Sequence, residues 1–145
     1  MVERQRGERV EIEELKGLMK DGAFVRGEAT VTSPTFLIPK RDESKRLIHD
    51  LREVNKHLCP PHFTLHGARD AGGVVRTSEW LAVLDLKHGY QQVAVEPQAR
   101  KYLGAKMGEE TIVSTVLPFG LNLSPYVFTR LTSWLAREIR RRFYL

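Results

Sequence analysis

Asp85 follows four apolar residues, Leu81-Ala82-Val83-Leu84, and leads into the polar run Leu86-Lys87-His88-Gly89-Tyr90. A short apolar run of that length reads as a buried strand. An acid at its end stands where a packed sheet gives way to a site and a side chain can meet a ligand; the plainer reading is a carboxylate that caps the next turn. Gly89 makes the turn flexible and delivers the Tyr90 ring five residues after the acid. A second concentration of chemistry lies upstream, where Lys40, Arg41, Lys45 and Arg46 crowd one polar stretch. Four cations around a turn suit an anionic ligand, and equally a solvated tip.

The elements that must position these groups follow from pattern. Ile12, Leu15 and Met19 recur at helical spacing, predicting a helix over Glu11 to Asp21 that Gly22 stops. Pro34 holds Ser33 extended, so Thr35-Phe36-Leu37-Ile38 continues as strand. Leu47-Ile48-His49 returns as its antiparallel partner, with the cations at the tip and flanks of the hairpin. Asp50 to Lys56 reads as a short helix capped by Asp50, and Pro60-Pro61 ends it before an extended connector. His66 to Val75 is predicted helical. Ala99 to Lys101 turns once, and Gly108-Glu109 joins a strand over Tyr102 to Met107 to another over Thr111 to Val116. Ser124-Pro125 opens a last helix, to Arg142, with Ser124 as its hydroxyl cap. Phe128, Leu131, Leu135 and Ile139 give it an apolar stripe, and five arginines crowd its polar side and end.

The 145 residues carry a net charge of +5, which favours an anionic partner, nucleic acid being the commonest. Cys59 is the one cysteine, so no internal disulfide is possible and a reducing compartment is expected; as a small residue it is expected half-buried. No apolar run approaches the roughly 20 residues of a membrane span. These features predict an intracellular protein without signal or membrane segment.

Four motifs in order now carry a resemblance: Ser33-Pro34 with Ile38-Pro39-Lys40; Arg46-Leu47-Ile48-His49-Asp50-Leu51-Arg52-Glu53-Val54-Asn55-Lys56; Leu84-Asp85-Leu86-Lys87-His88-Gly89-Tyr90; and Leu117-Pro118-Phe119-Gly120-Leu121 with Ser124-Pro125 and Phe128. Together they resemble the reverse transcriptase of a retroelement, of the DIRS-like or Gypsy-like kinds. The resemblance implies an α+β fold: right-hand polymerase fingers plus an incomplete palm (an α/β palm), an antiparallel sheet with packed helices. Residues 1–10 would be a charged tail, 11–80 the fingers and connector, and 81–145 the first half of the palm.

The implied chemistry is two-metal phosphoryl transfer, adding deoxynucleotides to a primer 3′ end on an RNA or DNA template with Mg2+ or Mn2+. By resemblance Asp85 is a catalytic metal ligand and the Leu86 carbonyl another. Lys40 and Arg46 hold the triphosphate, Tyr90 packs under the sugar and excludes a 2′-hydroxyl, and Phe119 and Gly120 close over the nucleotide. Asp50, Arg52, Asn55 and Pro118 face template and primer. The implied partners are a template-primer, deoxynucleoside triphosphates and the rest of a larger polyprotein, with no membrane. The departure is that the family's adjacent pair of catalytic acids is missing, since no Asp-Asp dipeptide occurs. The second catalytic motif and the thumb are therefore expected to be absent and the isolated chain inactive. The alternative is a non-catalytic nucleic-acid-binding module derived from a polymerase.

Overall fold

The computed structural model describes residues 2–39, 45–65, 67 and 83–143. Its first element is helix α1, Val2–Lys20. It begins well before Glu11, so the charged stretch predicted as a tail is helical. Leu15 is buried at 1% exposure, and Ile12, Leu18 and Met19 pack beside it on the same core. That face rests on a sheet of three strands, β1 (Phe24–Arg26), β4 (Gly104–Met107) and β5 (Glu110–Ser114), in the order β1-β5-β4, all antiparallel. Ala105, Met107 and Ile112 close the core beneath α1.

The predicted hairpin is present as β2 (Thr35–Pro39) and β3 (Lys45–His49), antiparallel with Phe36 opposite Ile48. Helix α2 (Arg52–Asn55) follows at once, and α3 (Pro97–Arg100) supplies the turn before β4. Leu51, Val54, Val95, Leu103, Leu117 and Leu121 form a second core, with Tyr90, Val93 and Val127 packed against it. This core ties α2 to the Leu117–Leu121 loop and to the 3-10 turn Gly89–Gln92. The last helix, α4 (Ser124–Phe143), runs as predicted. The Phe63 ring of the connector meets Tyr126 of α4 edge-on at 5.6 Å.

Several expectations change. Residues 83–86 are not a buried strand: they form no regular structure, and Val83 and Leu84 are 92% and 77% exposed. A strand exists only through ladder partners, and among the described residues no strand pairs with this segment. Ser124 does not cap its helix through the hydroxyl; fully buried, it donates to the Pro118 carbonyl at 2.9 Å. The cap position of α2 is Leu51 rather than Asp50, although the Asp50 carboxylate still accepts the Arg52 N–H at 3.3 Å. Cys59 is exposed. The helix predicted over His66 to Val75 lies outside the described residues, apart from Gly67.

Candidate nucleotide pocket

Three of the segments singled out in the sequence meet at one cavity of about 340 Å³, lined by Leu84, Asp85, Leu86, Gly89, Tyr90, Phe119, Phe128 and Thr132. Its wall is aromatic. The Tyr90 ring stands 5.1 Å from Phe119, tilted by 41°, and 5.3 Å from Phe128, nearly perpendicular at 77°. Such edge and tilted contacts are the favoured geometry for ring pairs. Tyr90 is thereby held from two sides, by a loop and by a helix far apart in sequence. His88 takes a left-handed conformation, φ 54°, to start the turn that carries it. Gly89 is needed for the close approach of α4, because a Cβ there would lie 2.5 Å from the Phe128 ring.

The loop that presents Phe119 is anchored at every step. Leu117 N–H donates to the Val93 carbonyl at 2.9 Å, and the buried Ser124 hydroxyl holds Pro118. Asn55 of α2 donates its amide to the Gly120 carbonyl at 2.8 Å and accepts the Asn122 N–H at 2.9 Å. Gly120 has a φ of 94° and lies against the His49 carbonyl, which a Cβ would approach to 2.8 Å. Phe119, half exposed, is thus the tip of a fastened loop.

His49 supports this arrangement from behind. It is buried at 4% exposure, and its Nε2 lies 3.0 Å from the Gly104 carbonyl. A carbonyl can only accept, so Nε2 carries a proton, while Nδ1 is buried and unpartnered. Burial, the dominant cause, pushes its pKa below 6.5, against the opposing pull of the Gly104 carbonyl and Asp50. Asp50 is clasped by the Arg52 fork at 2.8 and 2.6 Å, and these bonds hold its carboxyl down to about 2 from 3.8. At both groups the unfolded chain binds the proton more tightly, so each contributes stability at high pH that acid removes. The urea midpoint is expected to fall first below about pH 6.5 as His49 is protonated, then again between about pH 4 and pH 2 through Asp50. Arg52→Ala should flatten the second limb alone; an unchanged acid limb in that variant counts against the Asp50 assignment.

The structure brings Asp85, Leu86, Tyr90 and Phe119 to one cavity, with Gly120 in the adjoining backbone. Asp50, Arg52 and Asn55 cluster at α2, and Pro118 is buried. Lys40 lies outside the described residues, and Arg46 is described as backbone only, opposite Ile38. Phe128 and Thr132 join the cavity from α4. The sequence offered Phe128 as part of an apolar stripe and of the fourth motif, with no role at the site, and Thr132 gave no signal. The exposed Asp85 carboxylate and the Leu86 carbonyl are hard oxygen donors of the type Mg2+ takes. Among the described residues no three His, Cys, Asp or Glu gather as a metal site. One carboxylate and one carbonyl do not fit a two-ion centre, because the second dication's charge would go uncompensated.

A profile described as reverse transcriptase (RNA-dependent DNA polymerase) matches residues 38–145. The Pol polyprotein of equine infectious anemia virus (isolate 1369) is 29% identical over 118 residues, covering 77% of this chain and 10% of that protein. The Pol polyprotein from transposon gypsy of Drosophila melanogaster is 26% identical over 131 residues, 86% of this chain and 13% of its own. This chain thus spans about a tenth of the curated relatives it matches. In three dimensions it superposes on prototype foamy virus protease-reverse transcriptase with a TM-score of 0.77 at 24% identity, over 92% of this chain and 18% of the other. A foamy viral protease-reverse transcriptase in complex with double-stranded DNA gives 0.73 at 21% identity, over 89% and 27%. No helix among the described residues is long and apolar enough to cross a membrane. With an α+β fold of antiparallel sheets and packed helices and the profile match over most of its length, the chain belongs to the reverse transcriptase family, with relatives in the Pol polyproteins of retroviruses and Gypsy-like transposons.

Proposed function

We propose that this chain supplies the nucleotide-facing pocket of an RNA-directed DNA polymerase that extends a primer on an RNA or DNA template. Residues 11–80 act as fingers and 81–145 as the first half of the palm, within a larger polyprotein. Asp85 and the Leu86 carbonyl would supply two oxygen donors to one Mg2+ or Mn2+ ion, whose chemistry would be charge neutralisation at phosphate, the remaining ligands coming from the rest of the polyprotein. Tyr90 lies under the sugar and leaves no space for a 2′-hydroxyl. Phe119 and Gly120 cover the base pair, Lys40 and Arg46 bind the triphosphate, and Asp50, Arg52, Asn55 and Pro118 form the template-primer side. The observation that carries this reading is the single cavity shared by Asp85, Leu86, Tyr90 and Phe119.

The chain alone is expected to add no nucleotide, since it has no Asp-Asp pair and the described residues give the cavity one carboxylate. Primer extension on poly-rA with oligo-dT should not rise above a heat-killed blank; clear extension sinks that expectation. Binding of dTTP with Mg2+ should be on the order of millimolar or weaker, shifting Tyr90 and Phe119 ring signals in NMR, with the Mg2+ dependence lost in Asp85→Ala. Shifts that avoid this cavity refute the pocket. The net charge of +5 also favours the second reading, a nucleic-acid-binding module without chemistry. Its mark is duplex binding with a steep salt slope in a chain that binds no nucleotide.

A further inference from the structure

We propose that Asn55 is a positioning residue of the nucleotide pocket, acting through the Pro118–Asn122 loop beyond any contact it makes with the template. The inference rests on the pocket reading above. Asn55 ends α2, whose Val54 is anchored in the second core, so its backbone is fixed. Its side chain grips the loop on both sides of Leu121. Nδ2 donates to the Gly120 carbonyl at 2.8 Å, Oδ1 accepts the Asn122 N–H at 2.9 Å, and the Asn55 carbonyl accepts the Asn122 amide at 3.3 Å. Both ends of the amide are engaged in setting the loop that presents Phe119 to Tyr90. From behind, the His49 carbonyl blocks retreat of Gly120, and Ser124 fixes Pro118. A loop held at this many points meets its ligand already ordered, which removes an entropic cost of binding. Loss of the Asn55 fork leaves the Phe119 tip to sample other positions, and apparent affinity falls by the fraction still competent.

The test uses the whole chain with three readouts: amide hydrogen exchange at Asn122, NMR titration with dTTP and Mg2+, and binding of a labelled DNA duplex. Asn55→Ala is expected to speed exchange at Asn122 roughly fivefold or more, the loss of one hydrogen bond. It should weaken dTTP by about threefold or more in the absence of duplex. Asn55→Asp keeps an acceptor for the Asn122 N–H and loses the donor to Gly120. It should protect Asn122 better than Ala while still weakening dTTP, and it decides the matter if the Ala variant fails to fold. Unchanged exchange overturns the proposal. So does a weaker duplex with unaltered dTTP, which leaves Asn55 a template contact alone. A wild-type chain that binds no dTTP overturns the pocket reading itself, and that outcome is distinct because exchange still reports whether Asn55 holds the loop.

Discussion

Gly120→Ala is expected to lower the free energy of unfolding by about 2–3 kcal/mol, more than a surface substitution in a half-exposed loop normally does. Two independent costs meet at this position. The backbone φ of 94° lies in the region where a Cβ is strained. That Cβ would also lie 2.8 Å from the His49 carbonyl oxygen, which is main chain at the end of β3 and cannot swing aside. The loop has to move, and the Asn55 bond to the Gly120 carbonyl stretches with it. Urea unfolding should show a lower midpoint with an unchanged slope. The ring signals of Tyr90 and Phe119 should shift together, because their contact is set by the displaced loop. A midpoint equal to wild type would mean that Gly120 has more room than its neighbours indicate.

How much of this could be read from the letters depends on how local each cause is. The β2–β3 hairpin, the β4–β5 pair and α4 were legible because alternation, the Gly108 turn and the Ser124-Pro125 start all lie within a few residues of the elements they specify. The stretch before Glu11 lacks an apolar stripe, so its helix had no signal in the hydrophobic pattern. In the apolar run before Asp85, of which Leu81 and Ala82 lie outside the described residues, Val83 and Leu84 misled for the opposite reason. The run has strand composition, but strand formation depends on a neighbour that no local pattern reveals. The pocket was legible only through the order of its motifs. Nothing in the residues themselves says that Tyr90 stacks between Phe119 and Phe128. The supports were invisible altogether: Asn55 and Gly120 are 65 positions apart, and His49 and Gly104 are 55 apart. An isolated Asn or His gives no hint of which distant carbonyl it will meet.

Gly104→Ala is expected to be the most damaging single-methyl substitution considered, costing about 3 kcal/mol or more. Gly104 sits where three segments cross. A Cβ there would stand 2.4 Å from the Ala29 Cβ, 2.6 Å from the Val31 carbonyl and 3.3 Å from a Thr32 methyl. Two of these neighbours are fixed to the backbone, so relief requires β4 to separate from the 29–32 segment. That separation breaks the Ser33 N–H bond to the Gly104 carbonyl at 2.8 Å and the Gly104 N–H bond to Val31 at 3.2 Å. It also strips His49 of its acceptor. His49 is buried and its Nδ1 already has no partner, so the freed ring has both polar atoms unsatisfied. Gly17→Ala is the control: nothing lies within 4 Å of its Cβ position and it sits inside α1, so Ala should stabilise by about 0.5–1 kcal/mol. Thermal melts of the two variants should therefore move in opposite directions. If Gly104→Ala melts with wild type, β4 does not pack against residues 29–32 as closely as described, and the brace behind the pocket fails with it.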